Sequence, residues 1–348
     1  MLRYFLRRIF YGSLVMLGVV VVVFFLFQGF GDPSRLVMGQ RADASTQENI
    51  RKELDLDQPR WKQFLFYLDD VSPIGIHSRE EIERKKLRGF FIGGDMRVGL
   101  KWPYLRRSYQ TKREVGEILM EALPGTILLA VTAMIIATVF GVLLGVLAAV
   151  KKDTWMDSSA IFVSVLGISA PSFFMGIVIA YLFGFVLSPY TGLHMTGSLF
   201  DTDPFAGRQL QLQNLILPAI TLGIRPLAII AQLTRGSLLD TLDQDYIRTA
   251  YAKGLSKPVV VWKHGLRNAL NPVITAITGW FAELLAGAFF VEYIFGWKGI
   301  GKVTVDALEK LDFPVVMGSV LVSSLFFIVI GLLADLLYGV VDPRVRTI

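Results

Sequence analysis

An all-α polytopic membrane protein with six transmembrane helices is the fold class this sequence predicts, on three observations. Of 348 residues, 53% are hydrophobic and only 18% charged, whereas soluble domains carry about 25% charged residues. The apolar residues gather into six long blocks separated by polar stretches. Runs such as Val19 to Phe27 lack the alternation, in segments of about ten residues, that a transmembrane barrel requires. In hydrocarbon the backbone must satisfy its own hydrogen bonds, so the blocks are read as helices.

About 20 apolar residues in a helix cross the hydrocarbon core. The blocks of that length are 9–30, 124–150, 159–187, 215–233, 272–295 and 315–341. The first follows Arg3, Arg7 and Arg8 and is longer than a secretory signal core. No small-x-small cleavage site precedes Gly31-Asp32-Pro33, so it is read as a retained span. Six spans place both termini on one side, and the Lys/Arg distribution identifies that side as cytoplasmic. Three basic residues at the N-terminus, Lys151 and Lys152, six from Arg235 to Arg267, and Arg344 with Arg346 lie there. The short outer connections hold Arg208, Lys298, Lys302 and Lys310; residues 31–113 carry 17 more, but long translocated segments are largely exempt from the rule. The net charge of +6 therefore reflects the flanks of spans, not a nucleic-acid partner.

Cysteine is absent, which excludes disulfides and thiolate chemistry. His77, His194 and His264 are far apart, so neither a metal site nor a catalytic His/Asp/Ser set is expected. The chain divides into a cytoplasmic tip with the first span (1–30), an extracytoplasmic segment (31–123) and a core of five spans (124–348). The segment contains a helix-like stretch at 46–56, a charge-rich run at 79–88, and glycines with aromatics around Phe90 and Trp102. It reads as a solvated subdomain, or as a docking surface for an extracytoplasmic partner. Residues 115–123 look amphipathic and are expected at the interface, with Pro124 opening the second span.

The longest cytoplasmic connection, the loop at 236–271, is the most informative. From Asp245 it reads as a short basic helix that stops at Gly254, followed by a second amphipathic stretch reaching Pro272. Gly254 suits a left-handed C-terminal cap, and Lys253 complements the helix dipole. The small residues Ala250 and Ala252 would let the helix lie close in a groove of another protein. On these residues alone, an ordinary basic loop remains the other reading.

The stretch Arg248-Thr249-Ala250-Tyr251-Ala252-Lys253-Gly254-Leu255 resembles the "EAA" coupling loop of ABC importer permeases. Arg248 and Thr249 stand where the general pattern has Glu and Ala, and Arg267 where many members have proline. These departures are similar to the dipeptide/oligopeptide (peptide/nickel) branch. Further blocks resemble its B-type permease in the same order: Leu2-Arg-Tyr, Arg7-Arg8, Gly31-Asp32-Pro33, Leu54-x-Leu-Asp-Gln-Pro59, Gly94-Asp95, Leu123-Pro124, Val291-Glu-x-Ile-Phe-x-Trp-x-Gly-Ile-Gly301, Ala334-Asp-Leu-Leu-Tyr338 and Asp342-Pro-Arg344. Residues 72–89 look longer than usual in that family, so no docking residues carry over there.

The resemblance implies a type I ABC importer permease (MetI-like) fold in a bacterial inner membrane. It implies alternating access, with Tyr246, Arg248, Thr249, Ala250, Ala252, Lys253, Gly254 and Leu255 receiving force from ATPases. Implied partners are a second homologous permease, two cytoplasmic ATPases that hold ATP and Mg, and an extracytoplasmic peptide-binding protein. This chain itself would bind no cofactor and catalyse nothing. A secondary transporter or channel is the rival reading; such proteins often show internal repeats, and none is clear here.

Gly296-x-x-x-x-Gly301-Lys302 has phosphate-loop spacing, but Val303 replaces the required Ser/Thr and the topology places it outside. Ionisable groups inside spans cost from about 2.5 kcal/mol upward and are functional candidates. Arg225 and Glu283 are two such groups: either they pair with each other, or Glu283 lines the pathway and meets a peptide amino terminus. Asp335, near the end of the last span, reads as structural. Pro171, in Ser169-Ala-Pro-Ser172, is expected to kink the third span and free carbonyls toward a cavity, with Ser169 and Ser172 beside it. Gly141-x-x-x-Gly145 permits close helix approach, within the chain or to a partner.

Overall fold

Each of the six apolar blocks folds as helix. The computed structural model describes residues 2–28, 57–203 and 207–341; the expected helix at 46–56 and the family blocks at 31–33 and 342–344 lie outside them, as does the Asp335 side chain. The helices are α1 (Leu2–Gln28), α2 (Arg60–Val71), α3 (Arg79–Lys85), α4 (Val115–Val150), α5 (Trp155–Ser169), α6 (Ser172–Tyr181), α7 (Ile216–Leu242), α8 (Asp245–Ala252), α9 (Leu266–Gly287), α10 (Phe289–Ile294), α11 (Ile300–Glu309) and α12 (Phe313–Val341). Among the described residues, four segments can each cross a bilayer by length and composition: Leu6–Phe27, Val115–Val150, Leu212–Leu242 and Phe313–Leu333. The bent pair α5–α6 makes a fifth. The remaining expected span, 272–295, is helical but breaks at Ala288 (φ −72°, ψ 2°). Asn268, Asn271 and Glu283 dilute the apolar content of α9, the helix that carries most of it, and it is not among these five.

Two boundaries differ from expectation. Pro124 does not open the second span; α4 runs unbroken through it for 36 residues, about 54 Å at 1.5 Å per residue. The amphipathic stretch from Val115 is thus part of the same helix. Pro171 does more than kink the third: Ala170 is extended (φ −76°, ψ 131°), as a residue preceding proline prefers, and α5 and α6 diverge by 110°.

The chain forms two compact units. The first comprises Met1–Glu121 and Val303–Leu325, and it adds a small sheet to the helical fold. Strands β1 (Ile74–Ser78), β2 (Gly89–Gly93) and β3 (Met96–Lys101) form an antiparallel sheet in the order β1-β3-β2. The cause is a period of two in the sequence: Ile74, Ile76, Phe90, Ile92, Met96, Val98 and Leu100 alternate with other residues and occupy one exposed face. Gly99 is required on the other face, because a Cβ there would meet the Phe90 carbonyl and the Phe91 ring. The charge run is α3, started by a reciprocal Ser78/Glu81 capping box. Val20, Phe24, Tyr67 and Leu321 form this unit's apolar core.

Behind the sheet, the buried Asp70 carboxylate accepts from Lys85 Nζ (2.6 Å) and Arg106 Nε (3.0 Å), while Lys101 Nζ reaches the Asp70 carbonyl (3.2 Å). His77, 1% exposed, sits beside this cluster with Nδ1 3.3 Å from Asp69 Oδ2 and 3.7 Å from Glu81 Oε2. Burial, reinforced by Lys101, pushes the imidazole below its usual 6.5 against the opposing pull of Asp69 and Glu81. The unfolded chain therefore takes up this proton first, so stability is full above pH ~6.5 and is lost as the pH falls below it. The protection factors of the β1 and β3 amides, corrected for the intrinsic pH dependence of exchange, are expected to fall on acidification, and His77→Gln to flatten that dependence. An unchanged profile in the variant refutes the assignment to His77.

The second unit comprises Ala122–Lys302 and Phe326–Ile348. Its central helix is α7: 61% of its apolar window is buried, against 33% for α4. Gly141 and Gly145 serve packing within the chain, since a Cβ at either would meet α7 at Ile230 and the Leu227 carbonyl, or Thr234 and the Ala231 carbonyl. An ion pair ties α5 to α7: the half-buried Arg235 grips the buried Asp157 with Nε–Oδ1 at 2.6 Å and Nη2–Oδ2 at 2.7 Å. Asp157→Ala is expected to destabilise the unit by about 2–4 kcal/mol, because the guanidinium loses its counter-charge. Thermal melts in detergent check this, with Asp157→Ala/Arg235→Met expected to melt above Asp157→Ala alone.

The glycine-rich stretch after α10 wraps a buried carboxylate. Glu292, 0% exposed, accepts from Thr126 Oγ1 (2.7 Å) and the Lys302 amide (3.1 Å), while Thr126 accepts from the Ile300 amide (2.8 Å). A Cβ on Gly299 or Gly301 would collide with this carboxylate. Trp297 closes the site by donating from Nε1 to the Gly125 carbonyl at 2.9 Å. The spacing that resembled a phosphate loop thus encloses the chain's own carboxyl group.

Candidate functional site

The loop at 236–271 starts inside α7, which extends to Leu242, and turns at Asp243 into α8. Gly254 ends α8 in the left-handed region (φ 81°). Its amide bonds to the Tyr251 carbonyl (2.9 Å) and the Leu255 amide to the Ala250 carbonyl (3.3 Å), a Schellman stop. Ile247, Ala250 and Val260 are buried together, so the smallness of Ala250 serves the chain's own core. This revises the expectation that Ala250 faces a partner; Ala252 is exposed.

Outward lie Tyr246, Arg248, Thr249, Ala252, Lys253, Gly254 and Leu255. Asn268 Nδ2 donates to the Tyr246 hydroxyl at 2.8 Å and fixes α8 to the start of α9. The exposed Arg248–Asp245 pair at 3.4 Å contributes at most ~1 kcal/mol. Sequence reasoning missed Tyr251, Val259 and Trp262, which are 43%, 40% and 50% exposed and give the surface an aromatic character. A tryptophan within a basic loop is the signal that was available.

The second site is a cavity of about 130 Å³ at the α5–α6 break, lined among others by Ala170, Ser172, Thr221, Arg225, Trp280 and Glu283. Ser172 lies on its wall, whereas Ser169, exposed at the end of α5, does not. Arg225 and Glu283 share the cavity but make no ion pair with each other, against one of the two expectations. Instead the Arg225 guanidinium lies over the Trp280 ring, 5.4 Å from its centre, where the π face takes up part of its charge. Trp280 was legible as the residue three before Glu283, one turn away on the same face.

A multi-pass helical core with an exposed helix-stop loop on one connection and a cavity lined by two charged residues fits a transport protein of the permease class. The chain belongs to the family described as binding-protein-dependent transport system inner membrane component, matched over residues 141–347, and residues 1–86 match that family's N-terminal component. It is 36% identical over 348 residues to the glutathione transport system permease protein GsiC of Escherichia coli (strain K12), covering 99% of each chain. The protein of the same description from Shigella dysenteriae serotype 1 matches equally. Among solved structures, the MetNI methionine ABC transporter in inward-facing conformations shares the fold, with TM-score 0.50, 17% identity, and 65% of this chain and 97% of that chain covered. The chain is thus a permease subunit of an ABC importer of the peptide/nickel type, a multi-pass inner-membrane protein and not itself an enzyme. Permeases of this kind work with a partner permease, ATPases and a binding protein.

Proposed function

We propose that this permease forms, with a second homologous permease, the pathway for short peptides, and that two cytoplasmic ATPases drive it by alternating access. The observation that carries the reading is α8, a short helix with an exposed Tyr246/Tyr251 surface and a glycine stop, anchored to the helix that carries Glu283. Movement imposed on α8 passes through the Asn268–Tyr246 bond into α9 and so toward the cavity. ATP and Mg sit in the partner subunits; this chain takes no cofactor. Both termini face the cytoplasm, as the basic residues flanking the spans favour. Residues 1–30, 31–123 and 124–348 act as anchor, extracytoplasmic segment and translocation core, and a peptide-binding protein delivers cargo from outside. The relatives' printed substrate, glutathione, is itself a short peptide and supports this cargo class.

Co-expression of the chain with its neighbouring transporter genes, purification by a tag on this chain alone, and reconstitution in liposomes test the proposal. The expected result is co-purified ATPases and ATP-dependent uptake of glutathione or trialanine. Uptake by the isolated chain without ATPases would instead establish a secondary transporter or channel.

A further inference from the structure

We propose that the cavity at the α5–α6 break recognises a zwitterionic solute, with Arg225 meeting its carboxylate and Glu283 its ammonium group. The inference rests on the peptide-import reading and specifies what that pathway reads. Two opposite charges on one intramembrane cavity each cost from about 2.5 kcal/mol at the bilayer centre. Mutual pairing is the simplest way to offset that cost, yet among the described residues Glu283 has no ion-pair or hydrogen-bond partner, and Arg225 is held only by the Trp280 ring. With Cζ over the ring and no other partner among the described residues, the guanidinium keeps N–H donors available, and such a fork of donors binds a carboxylate in bidentate fashion.

The backbone adds to the positive end of the site. Helix α6 begins at the cavity with Ser172, behind Pro171, and no side chain caps it. Its first backbone bond is from the Met175 amide to the Pro171 carbonyl (3.1 Å), so the amides of the first turn have no acceptor within the helix, and Ser172 at this positive helix end borders the cavity. Arg225 and this helix end form the anionic subsite; Glu283 forms the cationic one. The volume, about 130 Å³, suits the charged end of a small solute rather than a long chain.

The full importer, reconstituted with its binding protein, is to be assayed with trialanine, trialanine amide and N-acetyl-trialanine as probes. Arg225→Met is expected to lower the ratio of trialanine to trialanine-amide uptake about tenfold, the loss of one charge-assisted contact, and Arg225→Lys to recover part of it. Glu283→Gln is expected to lower the ratio of trialanine to N-acetyl-trialanine uptake to a similar extent. Peptide-stimulated ATP hydrolysis measured in parallel reports that each variant is assembled. Unchanged ratios in active variants, or full recovery in Arg225→Glu/Glu283→Arg, overturn the inference and assign the two residues to architecture. Absence of ATP-dependent trialanine uptake by the wild-type complex overturns the peptide reading beneath it.

Discussion

Gly254→Val is expected to abolish substrate-stimulated ATP hydrolysis while leaving membrane insertion and complex assembly intact. The residue holds φ 81°, a region that costs an L-residue about 1–2 kcal/mol and a β-branched one more. Among the described residues, none but its chain neighbours lies within 4 Å of a Cβ at this position, so the substitution acts through the backbone and not through a clash. Relaxing φ would break the Schellman bonds that stop α8 and swing Leu255 and the following turn out of register. A strain of this size shifts a two-state loop population by tenfold or so. Gly254→Asn, which tolerates the left-handed region, is expected to keep most of the coupling. Should the valine variant couple normally, the loop does not carry the force.

Glu292→Ala is expected to give the largest loss of stability. It removes the acceptor of the Thr126 hydroxyl and of the Lys302 amide together, and each buried donor left unsatisfied costs about 1–3 kcal/mol. Gly299→Ala acts from the opposite side, since its Cβ would lie 2.4 Å from the Glu292 carboxylate. Both variants should reach the membrane but elute as aggregate on fluorescence-detected size exclusion, with melting temperatures well below wild type. A Glu292→Ala protein that melts as the wild type does would show that the carboxylate is dispensable.

The helices were legible because burial in lipid demands long apolar runs, and a run of that length leaves little choice of structure. Gly254 was legible for a local reason: a glycine closing a basic amphipathic stretch has one common backbone use. The sheet at 74–101 was not read as such because its strands are five or six residues long. Their alternation is interrupted by glycines, and pairing β1 with β3 depends on residues some twenty apart closing across α3. Arg225 and Glu283 were singled out by the cost of their charges, and the fold brings both to one cavity, yet their pairing was a guess about distance, which sequence separation does not encode. The direction of Ala250 was missed for the same reason. A small residue permits close approach, but only the packed loop decides which neighbour makes it.

The sequence by itself determined that this chain is a multi-pass helical membrane protein, where α8 stops, and which charges are costly, because hydropathy, glycine geometry and ionic desolvation act through local composition. The permease reading came from the resemblance of its motif blocks to a family. The tertiary structure alone decided that Gly141 and Gly145 receive α7, that the glycines near 300 enclose Glu292 and no phosphate, and that Arg225 rests on Trp280 rather than on Glu283. These are contacts between segments tens to hundreds of residues apart, selected by the shape of the whole core and not by any stretch of it.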